Sequence, residues 1–384
     1  MKTEVRFMKI CMVLEFFLPY YNGGGEHRCY EICKRVAQRG HEIDVLTMKI
    51  AGDTEFENID GIHVHHIGPK IKQIPYRSKS DFIKYFFSVC NWILTHDYDV
   101  IDAQAYSPLL SSYVASKLKR TPVIGTIYDT STNNNDQWLQ SPTLASRMEK
   151  ILLNIHFNKV ITISHATMNS LVNDFGVNDK NLELVYCGVD IQKYDNVSTD
   201  TLNKNQIIFV GRLAPHKHVD HFIQVIKEIK PSYPDLKFLI VGKGPEKENL
   251  VTMINELKLN DCITFKQDLS DEELITEIKQ SEILVLPSTR EGFGMVLAEA
   301  NCCNKPVLTY ASGGTVDVVE DGYNGYLIES GNIQQFKEKT IELLEDERLR
   351  KKIGNNGRKK VEEYFDWENI TDDYLKILEE TINK

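Results

Sequence analysis

The feature that most constrains this chain is an alternation that runs once, stops, and runs again. Short apolar runs alternate with longer amphipathic stretches, the pattern of strands buried on both faces of a parallel sheet and the helices that cross between them. The first series reads as strands near 10–14, 42–47, 62–67, 100–103, 123–126, 159–163 and 182–186. The second reads as strands near 206–210, 237–241, 262–265, 283–286, 306–309 and 325–327. A polar stretch at 195–205 without apolar periodicity separates them and reads as a linker. The expectation is an α/β protein of two doubly wound domains of similar size, 1–198 and 199–366. The last segment, 367–384, has helical apolar spacing at Ile370, Tyr374, Leu375, Ile377 and Leu378, so it must pack on one of them.

Composition narrows the function. Of 384 residues, 42% are hydrophobic and 26% charged, which suits a globular chain and excludes disorder, collagen or coiled coil as the main description. The net charge of -10 argues against a dedicated nucleic-acid binder. That charge is uneven, with a net of -1 over 1–190 and -9 over 191–384. No apolar run is long enough to span a bilayer, and Glu15 interrupts the amino-terminal apolar stretch, which reads as a buried strand rather than a leader. The eight cysteines show no zinc spacing and read as small core hydrophobes in a reducing, cytoplasmic setting.

Four glycine-bearing loops each follow a strand, where open α/β sheets take ligands. The first, Gly23-Gly24-Gly25, opens a helix and offers bare amides to an anion. It lacks the dinucleotide fingerprint, because Glu26, His27 and Arg28 follow. The second, Gly211 to Lys217, places Arg212 and Lys217 around one turn, so that two cations can converge on a polyanion. The third holds Gly242 and Gly244. In the fourth, strand 283–286 runs into Glu291-Gly292-Phe293-Gly294-Met295, whose amides form an anion seat at a helix start. Glu291 and Glu299, eight residues apart, suit pairs of sugar or ribose hydroxyls.

Together, the loop at 22–26, the strings GRLAPHK and VGKGP, the Glu291/Glu299 spacing and GGTVDVVEDGYNGYL at 313–327 resemble a retaining glycosyltransferase of the GT-B group, family 4, over nearly the whole chain. The resemblance implies two Rossmann-like domains facing a cleft, an acceptor-side domain 1–198 to which the helix 367–384 crosses back, and a donor-binding domain 199–366. It implies transfer of a sugar from a UDP- or GDP-sugar to a lipid-linked or saccharide acceptor, without cofactor or metal. Arg212 and Lys217 match the pair that grips the donor diphosphate, and Glu299 the carboxylate on the ribose. Glu291, with the backbone of Gly292, Phe293, Gly294 and Met295, matches the surface under the donor sugar. Gly24 and Gly25, and the loop glycines Gly211, Gly242 and Gly244, complete the implied donor contacts. Tyr128 departs from the pattern by standing where relatives carry a histidine near the reacting centre. A tyrosine is a poor base near neutral pH, and in a front-face mechanism the departing phosphate can take the acceptor's proton. The alternatives are a GT-B sugar-nucleotide epimerase and a binding subunit without chemistry.

Two further features stand outside that set. His63 and His65 alternate onto one strand face, but no carboxylate or cysteine near them in sequence completes a metal set, so the expectation is no metal. Residues 70–94 join basic Lys70, Lys72, Arg77, Lys79 and Lys84 to an aromatic helix, a candidate surface for the inner face of an anionic membrane.

Overall fold

The computed structural model describes residues 6–21, 23–50, 54–71, 77–130, 142–199 and 202–383. The chain divides into two compact units, Met1–Tyr186 with Trp367–Lys384, and Cys187–Asp366. The boundary falls ahead of the polar stretch 195–205. The reason is the short helix Ile191–Asn196, which is held by the second unit through Lys193 on Asp271 at 2.6 Å and Arg358 on Asp195 at 2.6 and 2.8 Å.

The first unit is built on an eight-stranded sheet of β1 (Lys9–Val13), β2 (Glu42–Lys49), β3 (Phe56–Ile59), β4 (Ile62–Lys70), β5 (Val100–Gln104), β6 (Val123–Ile127), β7 (Lys159–Thr162) and β8 (Leu182–Leu184). Its order is β3-β4-β2-β1-β5-β6-β7-β8, parallel except for β3 against β4. β3 is the strand missing from the sequence-based series. It has only four residues, and its Phe56 is exposed. The signal for it was the two-residue turn Asp60-Gly61, both at positive φ, between Ile59 and Ile62. β1 is buried from Ile10 onward, as its apolar run predicts, and β5 is buried throughout although it carries Asp102 and Gln104.

The closing helix Trp367–Ile382 belongs to this unit although it is last in the chain. Its stripe of Trp367, Ile370, Tyr374 and Leu378 is buried, each such side chain contributing roughly 1.5–3 kcal/mol relative to exposure. Tyr374 also donates to Asp102 on β5 at 2.8 Å, and Arg35 from the helix Gly24–Gln38 holds Glu368 at 2.8 Å.

The second unit carries an all-parallel six-stranded sheet of β9 (Gln206–Val210), β10 (Lys237–Val241), β11 (Ile263–Lys266), β12 (Ile283–Leu286), β13 (Val307–Tyr310) and β14 (Gly325–Ile328), ordered β11-β10-β9-β12-β13-β14. Helix Val219–Ile229 buries Phe222, Ile223, Ile226 and Ile229, with Phe222 edge-on to Phe238 and Phe336. In each sheet the winding reverses beside the first strand: β1 lies between β2 and β5, and β9 between β10 and β12. Connections leave in opposite directions at such a point and open a crevice beyond the strand ends. The loops that flank it follow β1 and β5 in one unit, and β9 and β12 in the other.

Candidate functional site

In the second unit the switch point brings together two loops that are far apart in sequence. The loop after β9 carries Arg212, exposed, and Lys217, whose ammonium forms an ion pair with the Glu291 carboxylate from the loop after β12. Both partners of that pair are mostly buried, at 15% and 12% exposure. The main chain knits the same loops, with Thr289 N donating to His216 O at 2.9 Å, and the loop after β13 joins them through Gly314 N on Glu291 O at 2.8 Å. Gly294 sits at φ +90° and caps the helix Met295–Cys302, leaving first-turn amides beside Glu291. Phe293 is buried and packs on Phe365 at 5.4 Å between ring centroids, so this residue offers a ligand only its backbone.

The loop after β10 meets the loop after β9 backbone to backbone. Gly211 N donates to Val241 O at 3.0 Å and Leu213 N to Lys243 O at 2.7 Å. A Cβ on Gly242 would lie 1.9 Å from Gly211 O, and one on Gly244 2.1 Å from Leu213 O. These glycines are therefore required by the crossing of two main chains, whatever else approaches them.

Glu299 lies further along the helix, and burial pushes its carboxyl up to about 7, against the pull of Lys193 and a hydrogen bond from Tyr194. Both helpers come from helix Ile191–Asn196. Nothing in the local sequence marked either residue, because their nearness to Glu299 arises only when that helix joins the second unit.

The first unit presents a different construction. Gly23 is the N-cap of helix Gly24–Gln38, without a side-chain cap. Beneath the loop stands Tyr128, at the end of β6: a Cβ on Gly25 would come within 2.9 Å of its ring. The Tyr128 hydroxyl is turned to buried groups, donating to Gln104 Oε1 and lying 3.0 Å from Cys29 Sγ. Burial raises the Tyr128 phenol well above its usual range. Behind it, Gln104 and Thr126 donate to Asp102 at 2.6 and 2.8 Å, and burial pushes the Asp102 carboxyl up to about 6. Arg28 is fully buried, donates to Val185 O at 3.1 Å and lies over the Tyr128 ring. Local reading missed Arg28, Gln104 and Asp102; a charged or polar residue inside an apolar stretch was the one signal available.

One string with Asp-x-Asp spacing, Asp97-Tyr98-Asp99, precedes β5 and so lies at the opposite end of the sheet from the glycine loop. Asp97 pairs with Lys119 at 2.9 Å and Asp99 accepts from the Lys9 amide at 2.7 Å.

Residues 22–193 match the model of Glycosyltransferase Family 4, and residues 190–360 that of Glycosyl transferases group 1. The chain is a family 4 glycosyltransferase. An uncharacterised glycosyltransferase of Methanocaldococcus jannaschii is 26% identical over 397 residues, covering 99% of this chain and all of that one. Among solved structures, sucrose-phosphate synthase from Thermosynechococcus elongatus superposes with a TM-score of 0.83 at 19% identity, over 98% of this chain and 99% of that one. Anabaena HepE, determined in complex with UDP-glucose, gives 0.77 at 21% identity, over 98% and 100%. The structural likenesses establish the GT-B fold. The family establishes a glycosyltransferase that uses nucleotide-sugar donors.

The structure thus gathers Arg212, Lys217, Glu291 and the 292–295 backbone at one switch point, with Gly211, Gly242 and Gly244 in the adjoining loops. It places Gly24, Gly25 and Tyr128 together at the other.

Proposed function

We propose that this glycosyltransferase moves a sugar from a UDP- or GDP-sugar to a lipid-linked or saccharide acceptor with retention of anomeric configuration, the donor held by the second unit and the acceptor by the first. The observation that carries this reading is the Lys217–Glu291 pair at the switch point of the second sheet, with Arg212 on the same loop. A diphosphate entering there meets Lys217, Arg212 and the amides around Gly294, which can stabilise the charge developing on the leaving group without a metal ion. Lys217 is then shared between phosphate and Glu291 Oε1, and the second oxygen of Glu291 takes a hydroxyl of the donor sugar. Glu299 accepts from the ribose hydroxyls. In a front-face reaction the bond from the anomeric carbon to the diphosphate oxygen breaks, the acceptor oxygen attacks the same face, and its proton passes to the departing phosphate. No protein base is required, which is compatible with a tyrosine at 128. With its hydroxyl engaged by Gln104, Tyr128 acts as a positioning residue that supports the Gly24-Gly25 turn.

The test is a thermal-shift panel of nucleotide sugars, since a ligand that binds the native state raises the melting temperature. Product analysis by NMR follows, with lipid-linked and saccharide acceptors. Retained configuration in an acceptor-dependent product is expected. Donor interconversion without acceptor would establish an epimerase, and tight donor binding with no turnover a binding subunit.

The acceptor side carries a lipid-facing surface in this reading. No described helix is long and apolar enough to cross a membrane. Helix Lys79–Thr95 nevertheless exposes Phe82, Ile83, Phe87 and Leu94, with Lys79 and Lys84 also exposed. Such a face suits the headgroup region of an anionic bilayer. Lys72 lies outside the described residues. Arg77 is committed elsewhere, to Glu15 at 2.6 Å and to the rings of Phe16 and Phe82. Cosedimentation with phosphatidylglycerol vesicles should fall for Lys79→Glu/Lys84→Glu and for Phe87→Ser; binding unchanged by both variants overturns the idea.

A further inference from the structure

The two histidines that stood without a partner in sequence acquire one from the neighbouring strand. β2 and β4 pair in parallel with Asp44 opposite His63 and Leu46 opposite His65, so Asp44, His63 and His65 lie on one face. Asp44 Oδ1 is 3.3 Å from His63 Nδ1 and 3.3 Å from His65 Nε2. Glu42, two residues before Asp44 on the same face, brings a carboxylate oxygen within 4.8 Å of the Asp44 and His63 donor atoms. The fold thus brings to the two histidines carboxylates that are distant from them in sequence.

We propose that Asp44, His63 and His65 form a zinc site, with Glu42 or water in the fourth position. Zinc takes imidazole and carboxylate ligands at about 2.0–2.2 Å in a tetrahedron, whose edges are then about 3.3–3.6 Å. The two separations from Asp44 Oδ1 match such an edge, and Glu42, Asp44 and His63 already lie within 4.8 Å of one another, so it is the His65 ring that has to turn toward His63 for the ion to seat. Two neutral imidazoles and two carboxylates balance the charge of a divalent ion. His65 Nε2 is shielded from solvent and makes no hydrogen bond of good geometry, despite Asp44 Oδ1 at 3.3 Å. A ring nitrogen in that state is suited to donate its lone pair to a metal.

The outer groups are those that ligands of a metal require. Asp44 Oδ2 accepts from Tyr98 Oη at 2.8 Å, and Tyr98 Oη in turn accepts from Trp92 Nε1 at 2.9 Å. That relay fixes the carboxylate with Oδ1 toward the imidazoles, where it shares a hydrogen bond of 3.3 Å with His63 Nδ1 that the ion would replace. The His65 ring packs against Trp92 at 4.5 Å and Phe56 at 5.2 Å, which fixes its plane. His63 and Glu42 border an open cavity of about 340 Å³ that provides entry. His41 lines the same cavity but is outside the set, because its Nδ1 accepts the Met8 amide at 3.3 Å. Glu42 is held by Lys9 at 2.5 Å and has to turn from it to coordinate, so Asp44 and the two histidines carry the proposal and Glu42 or water completes it.

The site joins the amino-terminal halves of β2 and β4. The glycine loop lies beyond the carboxyl end of β1, so the zinc is structural and takes no part in sugar transfer. It clamps the edge of the sheet where the four-residue β3 is the sole remaining strand.

The experiment uses the full chain without a polyhistidine tag, stripped with chelator and titrated with Zn²⁺ by calorimetry, with Trp92 emission as a second readout. One ion per chain with a dissociation constant of about 1 μM or tighter is expected, together with a rise in melting temperature. His63→Gln/His65→Gln should weaken binding at least about 100-fold, which is the loss of two of three ligands. His63→Gln alone, at a half-exposed position, should weaken it less and keeps the test usable if the double variant misfolds. A second His/Asp/His group, His218, Asp220 and His221, serves as the control: His218→Gln/His221→Gln should leave the titration unchanged. Absence of stoichiometric uptake, or uptake unaffected at His63 and His65, overturns the proposal. So does loss of uptake in the His218/His221 variant.

Discussion

The glycine loops of the two units look alike in sequence and are built on different constraints. In the second unit, Gly242 and Gly244 are forced by backbone: carbonyl oxygens of Gly211 and Leu213 occupy the places where side chains would begin. In the first, Gly25 is limited by the ring of Tyr128, a side chain that can itself be changed. The functional groups differ in the same way. The second unit brings its charges together as a part-buried pair, Lys217 on Glu291, with Arg212 exposed on the same loop. The first buries its charges, Arg28 and Asp102, behind a tyrosine. A run of glycines therefore signals close approach without saying what approaches.

That contrast can be broken experimentally. The largest effect is expected from Arg212→Ala/Lys217→Ala, which should lower turnover about 10³-fold or more while the far-UV circular dichroism spectrum at the assay temperature stays that of the folded chain, the loss of the Glu291 partner lowering only the melting temperature. Near-normal turnover would remove both residues from the diphosphate site. Next, Gly242→Ala should cost about 3 kcal/mol in a urea titration, because a carbonyl cannot be displaced without breaking the loop crossing. A midpoint within error of wild type would show that the two main chains are not held so closely.

Gly25→Ala should cost less, about 1–2 kcal/mol, and Tyr128→Leu in the same chain should recover most of it. Additive losses in that double variant would mean that the ring is not what limits the loop. The smallest effect concerns Glu299. With its carboxyl near 7, it is mostly ionised at pH 8 and mostly protonated at pH 6, and only the ionised form offers both oxygens to ribose hydroxyls. Donor affinity should therefore fall about tenfold between pH 8 and pH 6, as the ionised fraction does. Glu299→Gln should abolish that slope, and a slope that persists assigns the titration to another group.

The α/β class, the restart of the strand series and the loops that follow β1, β9, β10 and β12 are legible in the sequence, because periodicity and glycine placement are local properties of the chain. β3 escaped that reading because four residues with an exposed Phe56 carry too little apolar pattern, although Asp60-Gly61 announced the turn after it. The boundary at Tyr186 was also hidden. It depends on which unit captures helix Ile191–Asn196, and the ion pairs of Lys193 and Asp195 that decide it reach 78 and 163 residues along the chain.

The sequence by itself determined that Lys217 and Glu291 sit on loops that follow strands, and Glu299 in the helix after one of those loops, at the end of the sheet where open α/β folds take ligands. Only the tertiary structure decided their company: that Lys217 meets Glu291, that Tyr194 stands by Glu299, and that the Tyr128 hydroxyl faces Gln104. His63 and His65 make the same point. Their alternation was visible, but Asp44 reaches them through the register of β2 on β4. Register is a relation between strands, so no local period encodes it.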